Sequence, residues 1–188
     1  RSEQDQKIAN AIAAAGEMIN LARNDAAIAP LLAKRGYDAT KLDEGAALQA
    51  AAQAAFNARQ TAIGVQKQAT EAQGQAEKKA RQTYADFRET ARAVFPSRAD
   101  RTTLGLNGKV PKDLQQFITL ARASYTAAQG ASYAAKLATF GFPAASATAA
   151  LAEVDALSGA DETQSQAIGT AGGATKARDR ASDALDAW

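Results

Sequence analysis

The sequence predicts an all-α protein: an elongated antiparallel four-helix bundle with two long helices and two short corner helices, internally duplicated about a pseudo-twofold axis. Three observations point there. Alanine, the best helix former, fills 51 of 188 positions, while aromatic residues, which favour sheets, make up only 6%. Apolar residues recur at helical spacing over long stretches without a breaker. The second half also repeats the first at a constant offset of 105 residues.

The first helix opens with Ser2 placed as a cap and with Glu3 and Asp5 in the first turn, where the helix dipole favours acids. Ile8, Ile12, Ala15, Ile19 and Ala22 follow at 4-3-4-3 spacing, one stripe of an amphipathic helix that Asn24-Asp25 ends. Pro30 suits the first turn of a short helix running to Arg35, and Gly36 is a natural left-handed stop. The next helix begins near Ala39 or Thr40 and meets no strong breaker until Phe95-Pro96. About 55 residues at about 1.5 Å each span roughly 80 Å. A helix that long needs packing along most of its length.

Its stripe, Ala69, Ala72, Ala76, Ala80, Thr83, Phe87, Ala91 and Val94, follows an eleven-residue period that favours nearly straight packing. Alanine at most of these positions allows close helix approach at the expense of apolar area. Residues 96–111, bounded by Pro96 and Pro111 and holding the turn dipeptide Asn107-Gly108, are the expected non-helical connection. Beyond it, Leu114, Phe117, Ala121, Tyr125 and Ala128 mark another helix. A short helix then ends at Gly141, and a long one runs from about Ala144.

At the offset of 105, Leu32-Ala33 answers Leu137-Ala138, Gly36-Tyr37 answers Gly141-Phe142, and Ala62-Ile63-Gly64 answers Ala167-Ile168-Gly169. Seventeen of the 76 pairs between 8–83 and 113–188 are identical, about twice what shared composition would supply. The expected organisation is a first repeat over 1–95, an inter-repeat loop over 96–111 and a second repeat over 112–188, all in one compact domain. Because the first copy continues past Thr83 whereas the second reaches only its partner Trp188, the native polypeptide is expected to run at least about ten residues further with an apolar helical ending.

Chemistry is bounded by absences. The chain has no cysteine and no histidine, which removes thiolate nucleophiles and zinc sites together with the usual general base and commonest metal ligand. Of the remaining acid pairs, Asp43-Glu44 and Asp161-Glu162 are adjacent on helices, and neighbours about 100° apart do not converge on one ion. No nucleophile elbow or phosphate loop is present. No enzymatic activity, cofactor or metal is therefore expected. No apolar run approaches the roughly 18 residues of a membrane span, so a soluble chain is expected.

Net charge is +2, but residues 59–112 hold eleven basic and five acidic groups. Within them Lys78, Lys79, Arg81, Arg88, Arg92, Arg98, Arg101, Lys109 and Lys112 form a candidate anion-binding set. Glu77, Asp86 and Glu89 are interleaved with these cations, as on a solvated face with intrahelical ion pairs. Gly64 and Gly169, at equivalent places inside the two long helices, are candidate helix-crossing or contact positions, because an interior glycine normally has a compensating role.

These features favour a non-enzymatic structural or protein-interaction module, with a protein, either itself or another, as the expected partner. Binding to a membrane surface or polyanion through 78–112 is the alternative. Nucleic acid and membrane are both less favoured as partners.

Overall fold

The computed structural model describes residues 3–188 and is an all-α helical bundle. The proposed Ser2 cap lies outside the described residues. Among them are seven helices and no strand: α1 (Glu3–Asn24), α2 (Ala29–Ala33), α3 (Ala39–Val94), α4 (Arg98–Thr103), α5 (Leu114–Ala128), α6 (Ala131–Ala138) and α7 (Ala144–Ala187). The boundaries follow local chemistry. Pro30 occupies the first turn of α2. The Asp38 carboxylate accepts from the Lys41 N–H at 2.9 Å at the start of α3, and Asp113 caps α5 by accepting from Gln116 N–H at 2.9 Å.

Residues 96–111 are not wholly irregular. Ser97 has extended backbone and its hydroxyl accepts from the Asp100 N–H, so six residues wind into α4. The Ser97-x-x-Asp100 pattern is the capping signal behind this turn.

The repeat recurs as local structure. α3 and α7 begin at Ala39 and Ala144, 105 residues apart. Gly36 and Gly141 both adopt positive φ, 91° and 84°. After α2, Gly36 N–H donates to Ala33 O at 3.1 Å and Tyr37 N–H to Leu32 O at 3.0 Å. After α6, Gly141 N–H donates to Ala138 O at 3.3 Å and Phe142 N–H to Leu137 O at 3.0 Å. Each is the paired-bond helix ending in which a left-handed residue lets the chain leave while the last carbonyls stay satisfied. Only glycine enters that conformation without steric cost, so both corners require it.

The contacts group the residues into two compact units. Unit 1 comprises the chain up to Lys67 together with Ala167–Trp188, and unit 2 is Gln68–Gln166. In unit 1 the predicted stripe of α1 is buried throughout: Ile8, Ile12, Ala15, Ile19 and Ala22. Its core joins Ile8, Ile12 and Ala15 to Ala52 and Phe56 of α3 and Leu185 of α7. Beside this small core lies a buried ion cluster. One carboxylate oxygen of Asp5 accepts from Nη1 of Arg59 and from Nη1 of Arg178, each at 2.7 Å, so α1, α3 and α7 meet at one acid. Asp179 accepts from Arg178 Nε at 2.9 Å, and Thr175 from Arg59 Nε at 3.3 Å.

Unit 2 has a larger, aromatic core. Tyr84, Phe87, Ala91 and Phe95 pack with Phe117, Ile118, Ala121 and Tyr125 of α5, Leu137 of α6, and Ala150, Val154 and Leu157 of α7. The ring centroids of Tyr84, Phe87, Phe117 and Tyr125 stand 5.1 to 6.0 Å apart. On α3 the buried row is Ala80, Tyr84, Phe87 and Ala91. Thr83 sits at the edge of that row, with its hydroxyl donating to Glu153 at 2.7 Å, and Ala72 of the predicted stripe is exposed. Bulk decided the register: tyrosine removes more apolar area from water than the threonine beside it.

Candidate functional site

Two regions carry enough chemistry to be candidates, one in each unit. In unit 2 the basic segment 78–112 comes together, and most of its arginines already have acceptors. Arg88 is buried, and its Nη2 donates to Leu106 O at 2.9 Å and Gly108 O at 2.8 Å. Arg92 Nη2 reaches Leu106 O at 2.6 Å. Arg101 donates from Nε to Phe95 O at 2.8 Å and from Nη2 to Arg92 O at 3.1 Å.

Arg81 lies over the Phe117 ring, 4.3 Å from its centroid, and bonds Glu77, Pro111 O and Lys112 O. Lys79 pairs with Glu153 at 3.2 Å. Arg81, Arg88, Arg92 and Arg101 act as clasps on the chain between α3 and α5, whose backbone carbonyls have few helical donors to meet, while Lys79 reaches α7. Burial and the neighbouring Arg92 hold the pKa of Arg88 below the ordinary arginine value. Lys78, Arg98, Lys109 and Lys112 are exposed and form no salt bridge among the described residues. Four separate cations on a surface are a modest electrostatic footprint.

Gly64 and Gly169 are exposed, and a Cβ added at either would meet no atom within 4 Å outside its own helix. The space a side chain would take at either position is open. The close glycine contacts lie elsewhere, where sequence spacing offered no signal. Gly45 lies against the indole of Trp188, and Gly105, at φ 65°, lies against the Ser124 hydroxyl.

The second candidate is an apolar groove in unit 1, with a volume of about 630 Å³. Met18, Ile19 and Leu21 of α1, Leu32 of α2, Tyr37 at the corner and Trp188 form much of its wall. Of the lining residues, Met18, Leu21 and Ile28 are 63%, 53% and 40% exposed. Tyr37 and Trp188 meet edge to face, with centroids 6.0 Å apart. Single exposed leucines are ordinary on a protein surface, but a cluster around a concave wall is not. Sequence reading followed only the inward stripe of α1, and Met18 and Leu21 lie off that stripe.

Among the described residues no three His, Cys, Asp or Glu side chains gather as a metal-binding group. Asp43 pairs with Arg23, Glu44 with Lys41, and Asp161 accepts from Gln115. No helix of the described residues is long and apolar enough to cross a membrane. Compared with known proteins, the chain matches no family model, no curated protein and no solved structure.

Proposed function

We propose that the chain is a non-enzymatic helical module whose work is to hold other protein, either structurally or as an interaction partner, with self-association among its modes. The observation that carries this reading is the clustering of the exposed Met18, Leu21, Ile28 and Tyr37 around the groove of unit 1. Water contact at such a patch is unfavourable by about 25 cal/mol for each Å² of apolar surface, and a protein partner relieves it. The side chains next to it offer packing surface and no reactive set.

The polyanion or membrane-surface alternative draws less support, because Lys79, Arg81, Arg88, Arg92 and Arg101 already serve protein acceptors. Sedimentation of the purified chain over a range of concentrations tests the first reading, alongside titration with vesicles and nucleic acid across salt. Association that persists at high salt is the expected result. Binding to anionic vesicles or nucleic acid that falls steeply with salt, with no protein association, would replace it with the alternative.

A further inference from the structure

The segment between α4 and α5 carries Asn107-Gly108, and both residues are exposed. Four of the five asparagines, Asn10, Asn20, Asn24 and Asn57, lie in helices and precede a residue with a side chain. Asn107 lies outside every helix and precedes glycine. Gly108 has φ 77°, a left-handed conformation that glycine alone enters without steric cost, so the turn itself demands glycine here. Beyond its neighbours in the chain, no atom lies within 4 Å of the place where a Cβ would stand. Among the described residues its backbone N–H donates to no acceptor. The Asn107 side-chain amide is therefore followed by an uncrowded backbone nitrogen that no hydrogen bond holds.

We propose that Asn107 is a modification site, deamidated through attack by the Gly108 nitrogen, and that the isoaspartate formed there releases the loop from Arg88. The Gly108 nitrogen bonds to Asn107 Cγ and gives up its proton. The Cγ–Nδ2 bond breaks, and Nδ2 leaves as ammonia with a proton in return. Its bond to the Thr102 hydroxyl, 2.8 Å long and between two exposed side chains, is one for which water competes. A five-membered succinimide remains, and water adds to one of its two carbonyls. Opening at Cγ restores the ordinary chain as aspartate. Opening at the backbone carbonyl gives isoaspartate, in which the chain runs through Cβ and Cγ and is one carbon longer. Amide and water become acid and ammonia, with no other reactant, so the reaction does not depend on the interaction-module reading.

The extra carbon falls where the fold holds the chain on both sides. One atom, Nη2 of the buried Arg88, donates to Leu106 O at 2.9 Å and to Gly108 O at 2.8 Å, so a single clasp spans residue 107. Leu106 is fixed in the core of unit 2. Lengthening the chain between the two carbonyls carries Gly108 O away from a buried cation whose Nε already lacks a partner. Leaving such a cation short of acceptors is costly. Aspartate keeps the chain length. It also adds an acid near arginines that, among the described residues, donate only to backbone carbonyls: Arg88, Arg92 and Arg101. The two products of one reaction therefore differ in stability.

The test incubates the full 188-residue chain at neutral pH beside a peptide of its residues 104–110, which carries the same dipeptide without the fold. Mass spectrometry follows the amide-to-acid mass gain at residue 107, and an isoaspartyl carboxyl methyltransferase marks the isoaspartyl form. Conversion in the folded chain should run within about tenfold of the peptide's rate, because exposed loops open at little cost in free energy. Asn107→Gln, whose longer side chain closes the larger ring less readily, should show no such gain over the same period. The isoaspartyl chain, purified by chromatography, should have a lower urea midpoint than Asn107→Asp, which differs from it only in the path of the chain. Conversion slower than the stated bound overturns the proposal. A mass gain that persists in Asn107→Gln places the reaction elsewhere and overturns it too. An isoaspartyl chain as stable as Asn107→Asp does the same, since the Arg88 clasp then accommodates the longer chain.

Discussion

Asp5 shows how much one side chain can fix. It is 5% exposed, and its carboxylate is shared by guanidinium groups from two other helices, those of Arg59 and Arg178. Sequence reading placed Asp5 in the first turn of α1, where an acid suits the helix dipole. Its partners stand 54 and 173 residues away, and no local spacing pointed to them. Removing one member of a buried ion cluster leaves the others charged and desolvated, which costs more than the cluster's net contribution. We therefore expect Asp5→Ala to lose about 3–5 kcal/mol of stability, against much less for replacing Asp5, Arg59 and Arg178 together by apolar residues. Urea denaturation of the single and triple variants checks this, and equal losses would show that the cluster contributes no more than its packing. The same limit applied to the basic segment. Arginines are visible in a sequence, but that Arg88 ends on the carbonyls of Leu106 and Gly108 is a property of the folded loop.

At the scale of the element, the sequence was most legible where caps and stops act within a few residues. Gly36 and Gly141, Pro30 and the start of α3 were all placed by such signals, and the helices begin and end there. The α4 turn was missed because two prolines and an Asn-Gly pair outweighed the Ser97-x-x-Asp100 cap in a window of sixteen residues. Gly64 and Gly169 stand inside the two long helices. The repeat at equivalent positions suggested a compensating contact, yet both are exposed and have open space where a Cβ would stand. With no contact to protect, the backbone entropy of glycine is a plain cost. Gly64→Ala and Gly169→Ala should each stabilise the chain by about 0.5–1 kcal/mol, additively. Thermal melting of the two single variants and the double variant measures this, and destabilisation by either would reveal a role for the glycine that its surroundings do not show.

For the whole chain, composition foretold the class of fold and the 105-residue repeat foretold which elements recur. The division of the contacts at Lys67 and Ala167, within α3 and α7, had no such signal, since no breaker interrupts either helix there. Nor does the repeat make the two units chemically alike, because the aromatic residues are concentrated in the core of unit 2. This difference has a consequence in alkali. Burial raises the pKa of Tyr84 and of Tyr125 above the ordinary 10.0, more than the hydrogen bond of Tyr84 with Ser124 lowers the former. Tyr125 Oη is buried without a hydrogen-bond partner. Unfolded, both phenols ionise near pH 10, whereas the folded chain keeps their protons to higher pH. Their contribution is therefore intact below about pH 10 and is lost as pH rises beyond it, because the unfolded state then releases protons that the folded state retains. The decisive comparison is between proteins and not between pH values. Urea midpoints of the parent chain should fall more steeply from pH 9 to about 11 than those of a Tyr84→Phe, Tyr125→Phe double variant, which has no phenol to ionise in that core. Parallel decline of the two would show that these tyrosines ionise as readily folded as unfolded.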